Sequence, residues 1–211
     1  KPVHGLAFYS QVILDELRIS ELFSSDGWWG NKYGIQLGLK YFDIGGISQL
    51  DGQLEYNVVM PFTYSHWKPT EGVPEISISN YAHYNQPLAH PLGANFSEII
   101  FKLRYRPKPR FLVEGRYIYT LVGRNTEENF GSDILLDNST RVSDFGNTLH
   151  QGAESKISIF NLNLSYELFY NLNVDLSMTY RADKNVQLTD FKTGYISSGI
   201  RYNFNRLSID Y

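Results

Sequence analysis

The chain contains no cysteine. That excludes a disulfide framework and a thiolate zinc site, and it fits an oxidising compartment in which stray thiols are avoided. No stretch approaches the roughly 18 consecutive apolar residues of a membrane helix, although 42% of residues are hydrophobic, so a helical membrane protein is excluded. There is no charge excess either: 19 Lys and Arg against 22 Asp and Glu leave a net charge of −3, without the electrostatic footprint that nucleic acid requires. Catalytic signatures are missing too, with no Gly-x-Ser-x-Gly elbow, no His-Glu-x-x-His pair and no phosphate loop. The first residue is Lys1 and no signal peptide precedes it, so a mature or truncated chain is expected. Residues 1–211 read as one domain, with no stretch of linker composition.

What is present in abundance is aromatic side chains, 16 Tyr and 13 Phe, arranged in segments of strict alternation. Leu6, Phe8, Val12 and Leu14 face away from Tyr9 and Gln11. Tyr33, Ile35, Leu37, Leu39 and Tyr41 oppose Gly34, Gln36, Gly38 and Lys40. The same period of two recurs over residues 50–58, 99–105, 111–119, 160–168 and 172–180, and again from Ile196. Each such run reads as a strand with one apolar and one polar face. A Gly45-Gly46 turn, the Arg106–Arg110 stretch with its two prolines, and Tyr170-Asn171 are short reversals. Parity slips near Asn205-Arg206; a bulge there keeps eight strands, whereas a turn would open a ninth.

Alternation does not say whether the apolar set faces a core or lipid. Three features point outward to lipid. Connections alternate short and long, with long loops near 15–32, 60–96 and 122–155. Tyr41, Tyr105, Tyr119, Tyr166, Tyr180 and Tyr202 sit near strand ends on the apolar face, as an interfacial girdle would. The chain closes on the alternating Leu207–Tyr211 with a terminal aromatic. The expected fold is therefore all-β: an antiparallel, up-and-down transmembrane β-barrel with about eight strands in this chain, closed alone or as part of a larger barrel. The expected location is the bacterial outer membrane, with its lipid as partner.

The loop from Met60 to Phe96 concentrates three of the five histidines with aromatics, amides and prolines. Tyr64, Trp67, Tyr81 and Tyr84 offer flat apolar faces, while His66, His83, Asn85, Gln86, His90 and Asn95 offer donors and acceptors. Such a mixture suits neutral sugar rings. The competing reading is that these side chains pack the loop onto itself, each polar tip bonded to backbone. Pro87 and Pro91 favour a rigid loop in either case. His83 and His90 match no compact zinc spacing, and Glu71 and Glu75 fall at an expected loop tip, so neither metal nor cofactor is expected. The neighbours Ser65 and His66 are no evidence of catalysis, because adjacent strand residues point to opposite faces. On the polar faces, Lys40, Asp51, Glu55, Lys102, Arg104, Glu114 and Arg116 are placed to form a charge network inside a lumen, and secondarily a solute path.

Several motifs carry a resemblance. They are Asp26–Lys32 with its Gly-Trp-Trp-Gly centre, Gln36–Phe42, Leu54–Asn57 with Pro61–His66, and above all Asn80–Asn95. Through them the sequence resembles the Wzi-like capsule-assembly barrels of Gram-negative bacteria, most closely the RemB-type gliding-motility branch. The likeness spans most of residues 6–110, and residues 111–195 share only the pattern. It implies a non-enzymatic outer-membrane scaffold that associates with surface polysaccharide, or with gliding and export components. Barrels of that family generally have more than eight strands, which would make this chain the C-terminal part of one. A passive solute channel and a soluble carbohydrate-binding β-domain are the alternatives.

Overall fold

The computed structural model describes residues 4–22, 26–66, 80–187 and 189–204. The strands in chain order are β1 (Leu6–Glu16), β2 (Lys32–Tyr41), β3 (Leu50–Val59), β4 (Ala82–His83), β5 (Gln86–Pro87), β6 (Phe96–Lys108), β7 (Phe111–Arg124), β8 (Ala153–Phe169), β9 (Leu172–Asn185) and β10 (Phe191–Tyr202). β4 and β5 pair only with each other. The other eight form one antiparallel meander, in the order β1-β2-β3-β6-β7-β8-β9-β10. Among the described residues the sheet is not closed, and β1 and β10 are its two edges.

The register shows why this sequence forms this sheet. Phe8 lies opposite Leu39, Leu39 opposite Leu54, Leu54 opposite Phe101, Phe101 opposite Tyr117, Tyr117 opposite Phe160, and Phe160 opposite Tyr180. One residue along, Lys40, Gln53, Lys102, Arg116, Asn161 and Thr179 form the matching row on the other face. Large side chains directly across a ladder support one another, and slipping any strand by one residue would break both rows at once.

The two faces meet different surroundings. On the apolar face Phe8 is 78% exposed, Leu54 49%, Phe101 46% and Phe160 47%. The buried core lies on the opposite face, at the end carrying the long connections. There Val59, Phe96, Val122 and Ile157 are covered by Tyr64, Ala94 and Ile134 from the loops, with Ile13 and Ile159 packed alongside. The other face is thus apolar and covered towards the loops, and charged towards the short turns. We call it the inner face.

Connections alternate as the sequence suggests. Residues 42–49 reverse the chain through a 3-10 turn, with Gly45 and Gly46 at φ 63° and 81°, and Asn171 at φ 63° closes the turn between β8 and β9. One expectation is corrected. Pro107 does not end the strand: β6 continues to Lys108 across a register shift between Tyr105 and Lys108, which takes the proline out of the ladder and leaves Pro109-Arg110 as the turn. A helical turn, α1 (Ile19–Leu22), follows β1. The parity slip near Asn205-Arg206 and the terminal Leu207–Tyr211 lie outside the described residues.

At Gly123 a loop crosses close over the sheet. A Cβ there would stand 2.1 Å from the Gln151 carbonyl oxygen, whereas one at Gly115 would meet nothing within 4 Å. Gly123→Ala is expected to lower stability by about 1–3 kcal/mol through overpacking, and Gly115→Ala to stay within about 0.5 kcal/mol of wild type. Denaturant midpoints of the two variants, measured side by side, check this.

Candidate functional site

The loop end is assembled from buried polar anchors. Phe62 and Tyr64 adopt left-handed backbone, φ 63° and 71°, so that residues 60–66 coil tightly after β3. The Phe62 amide donates to the Gly131 carbonyl (2.9 Å). The Asp15 carboxylate at the end of β1 accepts the Tyr64 amide (2.9 Å) and lies 3.3 Å from His66 Nε2. Lys32, fully buried, donates to the Ser65 carbonyl (2.9 Å), sits 3.2 Å from the Glu16 carboxylate and stands 4.8 Å from the Trp29 ring. Arg141 lies 4.1 Å from the same ring, and Phe62 meets it edge-on. A buried ammonium is tolerated because a carboxylate, a carbonyl and a ring face all address it.

The residues singled out from sequence divide three ways. Tyr64 and Asn95 are core. Asn95 is fully buried, donates to the carbonyls of Gly123 (3.0 Å), Phe130 (3.3 Å) and Gln151 (2.9 Å), and accepts the His150 amide (2.7 Å). His66 and His90 are set against carboxylates. His90 Nδ1 accepts the Leu92 amide (3.3 Å), which leaves Nε2 to address Glu98 at 3.3 Å, and its ring stacks on Phe96 at 4.5 Å. Tyr81, His83, Tyr84, Asn85 and Gln86 stay together on or beside the β4–β5 hairpin, whose turn residues Tyr84 and Asn85 have φ 47° and 59°. Such left-handed pairs close two-residue hairpins. Tyr84 is 89% exposed at the tip. Trp67, Glu71 and Glu75 lie outside the described residues.

Between the loop and the inner face of β1–β3 is a hollow of about 280 Å³, walled by Tyr64, Tyr81 and His90 and floored by Gln11, Gln36 and Asn57. The two tyrosine rings are 5.6 Å apart. Burial, with Asp15 and Tyr81 nearby, raises the Tyr64 hydroxyl above its ordinary pKa, so it stays a neutral donor and acceptor. Flat apolar walls above a floor of amides can hold a ring that has an apolar face and a hydroxyl rim.

Six of the seven charges named from sequence line a second hollow, of about 420 Å³, nearer the short turns: Lys40, Asp51, Lys102, Arg104, Glu114 and Arg116. Arg104 and Glu114 are 3.4 Å apart, and Lys40 lies 5.5 Å from the Tyr9 ring. Glu55 sits beside this hollow, accepting from the Tyr9 hydroxyl and from Asn57 (3.0 Å). Gly38 makes this possible, because any Cβ there would collide with the Tyr9 ring that lies across β2 to reach β3. Sequence reasoning missed the continuation of the network through Glu98, which receives Asn57 and Thr120. It also missed the set formed by Arg124, Ser155 and Asp183. The inner-face parity of the strands is the signal that would have found them.

It missed a further contact as well: Ser97 Oγ is 2.9 Å from His150 Nε2, 53 positions apart in the chain and with no motif to link them. Among the described residues no group of three His, Cys, Asp or Glu side chains could hold a metal ion. Comparison with family models, with curated proteins and with solved structures gave no match.

Burial holds the His150 imidazole below its ordinary pKa, against the opposing pull of Glu154. The unfolded chain therefore takes up this proton first. The contribution of a neutral His150 is intact above about pH 6.5 and is lost as pH falls through the lower folded value. An NMR titration should place the His150 midpoint below about 6.5. Replacing it with Gln should flatten the fall in stability on acidification below that pH.

Proposed function

We propose that the chain is the membrane-embedded wall of an outer-membrane β-barrel, whose loop end is a scaffold for surface polysaccharide. One observation carries the first half: the face bearing Phe8, Leu54, Phe101 and Phe160 is exposed across the sheet, while the opposite face holds the charges of the second hollow and the buried core. A soluble monomer rarely leaves so wide an apolar face in water, whereas a bilayer requires it. The strands β6–β9 run 13, 14, 17 and 14 residues, beyond the roughly 9–11 that cross a bilayer when tilted. Tyr41, Tyr105, Tyr166 and Tyr202 stand at or near the short-turn ends of β2, β6, β8 and β10, which suits a headgroup girdle. Unpaired edges are not tolerated in hydrocarbon, so β1 and β10 meet each other or further strands.

The second half is supported by the hollow under Tyr64, Tyr81 and His90, by the exposed Tyr84 hairpin, and by the resemblance of residues 26–42 and 80–95 to Wzi-like barrels. Gliding or export components of the same membrane are the further partners that resemblance suggests. An open solute channel fits less well, because Tyr64, Ala94 and Ile134 pack down onto the inner face at the loop end.

Two measurements test this reading. Leu54→Arg or Phe101→Arg should cost about 2–4 kcal/mol in folding into lipid vesicles, followed by the heat-modifiable gel shift. A chain that stays soluble without detergent and tolerates both changes would refute the membrane half. Tyr81→Ala should weaken binding of a neutral polysaccharide about tenfold, roughly 1.4 kcal/mol, with Arg116→Ala as the unaffected control. Equal affinity in all three proteins would refute the scaffold half.

A further inference from the structure

We propose that Ser97 and His150 are the nucleophile and general base of a hydrolytic site that cleaves acyl esters of membrane lipid. The choice of lipid rests on the membrane reading above; the nucleophile does not. The proposal departs from the expectation, drawn from missing sequence motifs, that the chain performs no chemistry.

Ser97 belongs to the odd-numbered side of β6, with Ile99, Phe101 and Leu103, and its cross-strand neighbours are Val58 and Leu121. Its hydroxyl therefore emerges on the apolar face, at the loop-side rim, and is partly accessible. His150 reaches it because the chain crosses directly over Gly123, where any Cβ would strike the Gln151 carbonyl. Its backbone is left-handed, φ 66°, and its amide is held at 2.7 Å by the fully buried Asn95. Backbone held in a rarely populated conformation by a buried anchor is characteristic of working sites. The ring presents Nε2 at 2.9 Å from Ser97 Oγ, the reach a general base needs.

Charge around the pair is organised in the sense the reaction requires. Burial keeps the imidazole unprotonated at neutral pH, able to accept a proton, and the Glu154 carboxylate favours the imidazolium once it forms. Glu154 is paired at 3.1 Å with Lys156. Lys156 lies opposite Leu121, which lies opposite Ser97, so the lysine stands two strands from the nucleophile in the same cross-strand row.

The steps balance without a cofactor. The Ser97 hydroxyl oxygen bonds to the ester carbonyl carbon and its proton passes to His150 Nε2. The tetrahedral intermediate expels the lipid alkoxide, which takes that proton and leaves as the alcohol. Water then adds to the acyl-serine, giving its proton to His150; the fatty acid departs and Ser97 Oγ recovers the proton. The sum is ester plus water to acid plus alcohol.

The full chain in detergent micelles, treated with a long-chain alkyl fluorophosphonate and mapped by peptide mass, provides the test. The expected result is one adduct on Ser97, absent in Ser97→Ala and formed at least 100-fold more slowly in His150→Asn. Glu154→Gln, a positioning change, should slow labelling and move the acid limb of its pH profile to lower pH. Fatty acid release from phosphatidylethanolamine vesicles, or instead from lipopolysaccharide, identifies the lipid. Protein that shows the heat-modifiable shift yet carries no Ser97 adduct would overturn the proposal and leave the membrane reading intact. Water-soluble protein without a shift that is still labelled on Ser97 and cleaves a short p-nitrophenyl ester would retain the nucleophile and overturn the lipid substrate together with the membrane reading.

Discussion

Alternation across the strands is the constraint on which the rest of this structure depends. Side chains on a pleated strand take opposite faces in turn, and six antiparallel pairings keep the apolar row from Phe8 to Tyr180 in register with the polar row from Lys40 to Thr179. Neither row is an accident of one strand. A single-residue slip anywhere would set Arg116 or Lys102 among the phenylalanines and leave Tyr117 or Phe101 on the network of Glu55 and Asn57. The exposed apolar face and the bonded polar face therefore arise together, and the chain's surroundings must satisfy both.

The loops obey a second rule. Their described residues fold down onto the sheet and supply about half of the hydrophobic core. Val59, Phe96, Val122 and Ile157 are apolar residues on the otherwise polar side of their strands, and all four lie next to long connections. They exist to be covered. The cover is then fixed by polar groups that have exchanged water for defined partners: Asn95 with its three carbonyls, Lys32 with Glu16 and the Ser65 carbonyl, Asp15 with the Tyr64 amide. Removing any one of these would strand a buried donor or acceptor, which costs more than the bond itself contributes.

How much of this could be read beforehand follows from the range of the interactions. The eight long strands, their faces and the alternation of short and long connections were legible, because period-two patterning and Gly, Pro and Asn turn residues are local signals. So was the grouping of Lys40, Asp51, Lys102, Arg104, Glu114 and Arg116 on one hollow, since parity fixes the face. The fate of the Met60–Phe96 loop was not legible. Nothing near Asn95 says that its amide will bind carbonyls at 123, 130 and 151, and nothing near Tyr81 says that it will stay at a surface while Tyr64 is buried. The continuation of β6 through Pro107 escaped for a similar reason: a compensating register shift is a property of two strands, not of one.

The bonds that seal the loop end span great distances along the chain. The Asn147 side chain donates to the Gly27 carbonyl 120 positions away, and Asn138 to the Ser65 carbonyl 73 positions away. Closing contacts this far apart along the chain is entropically costly, and the ladder from β1 to β8 lowers that cost by carrying the connections to one end of the sheet. The seal therefore depends on the strand order: the loops that meet are those that the meander sets side by side.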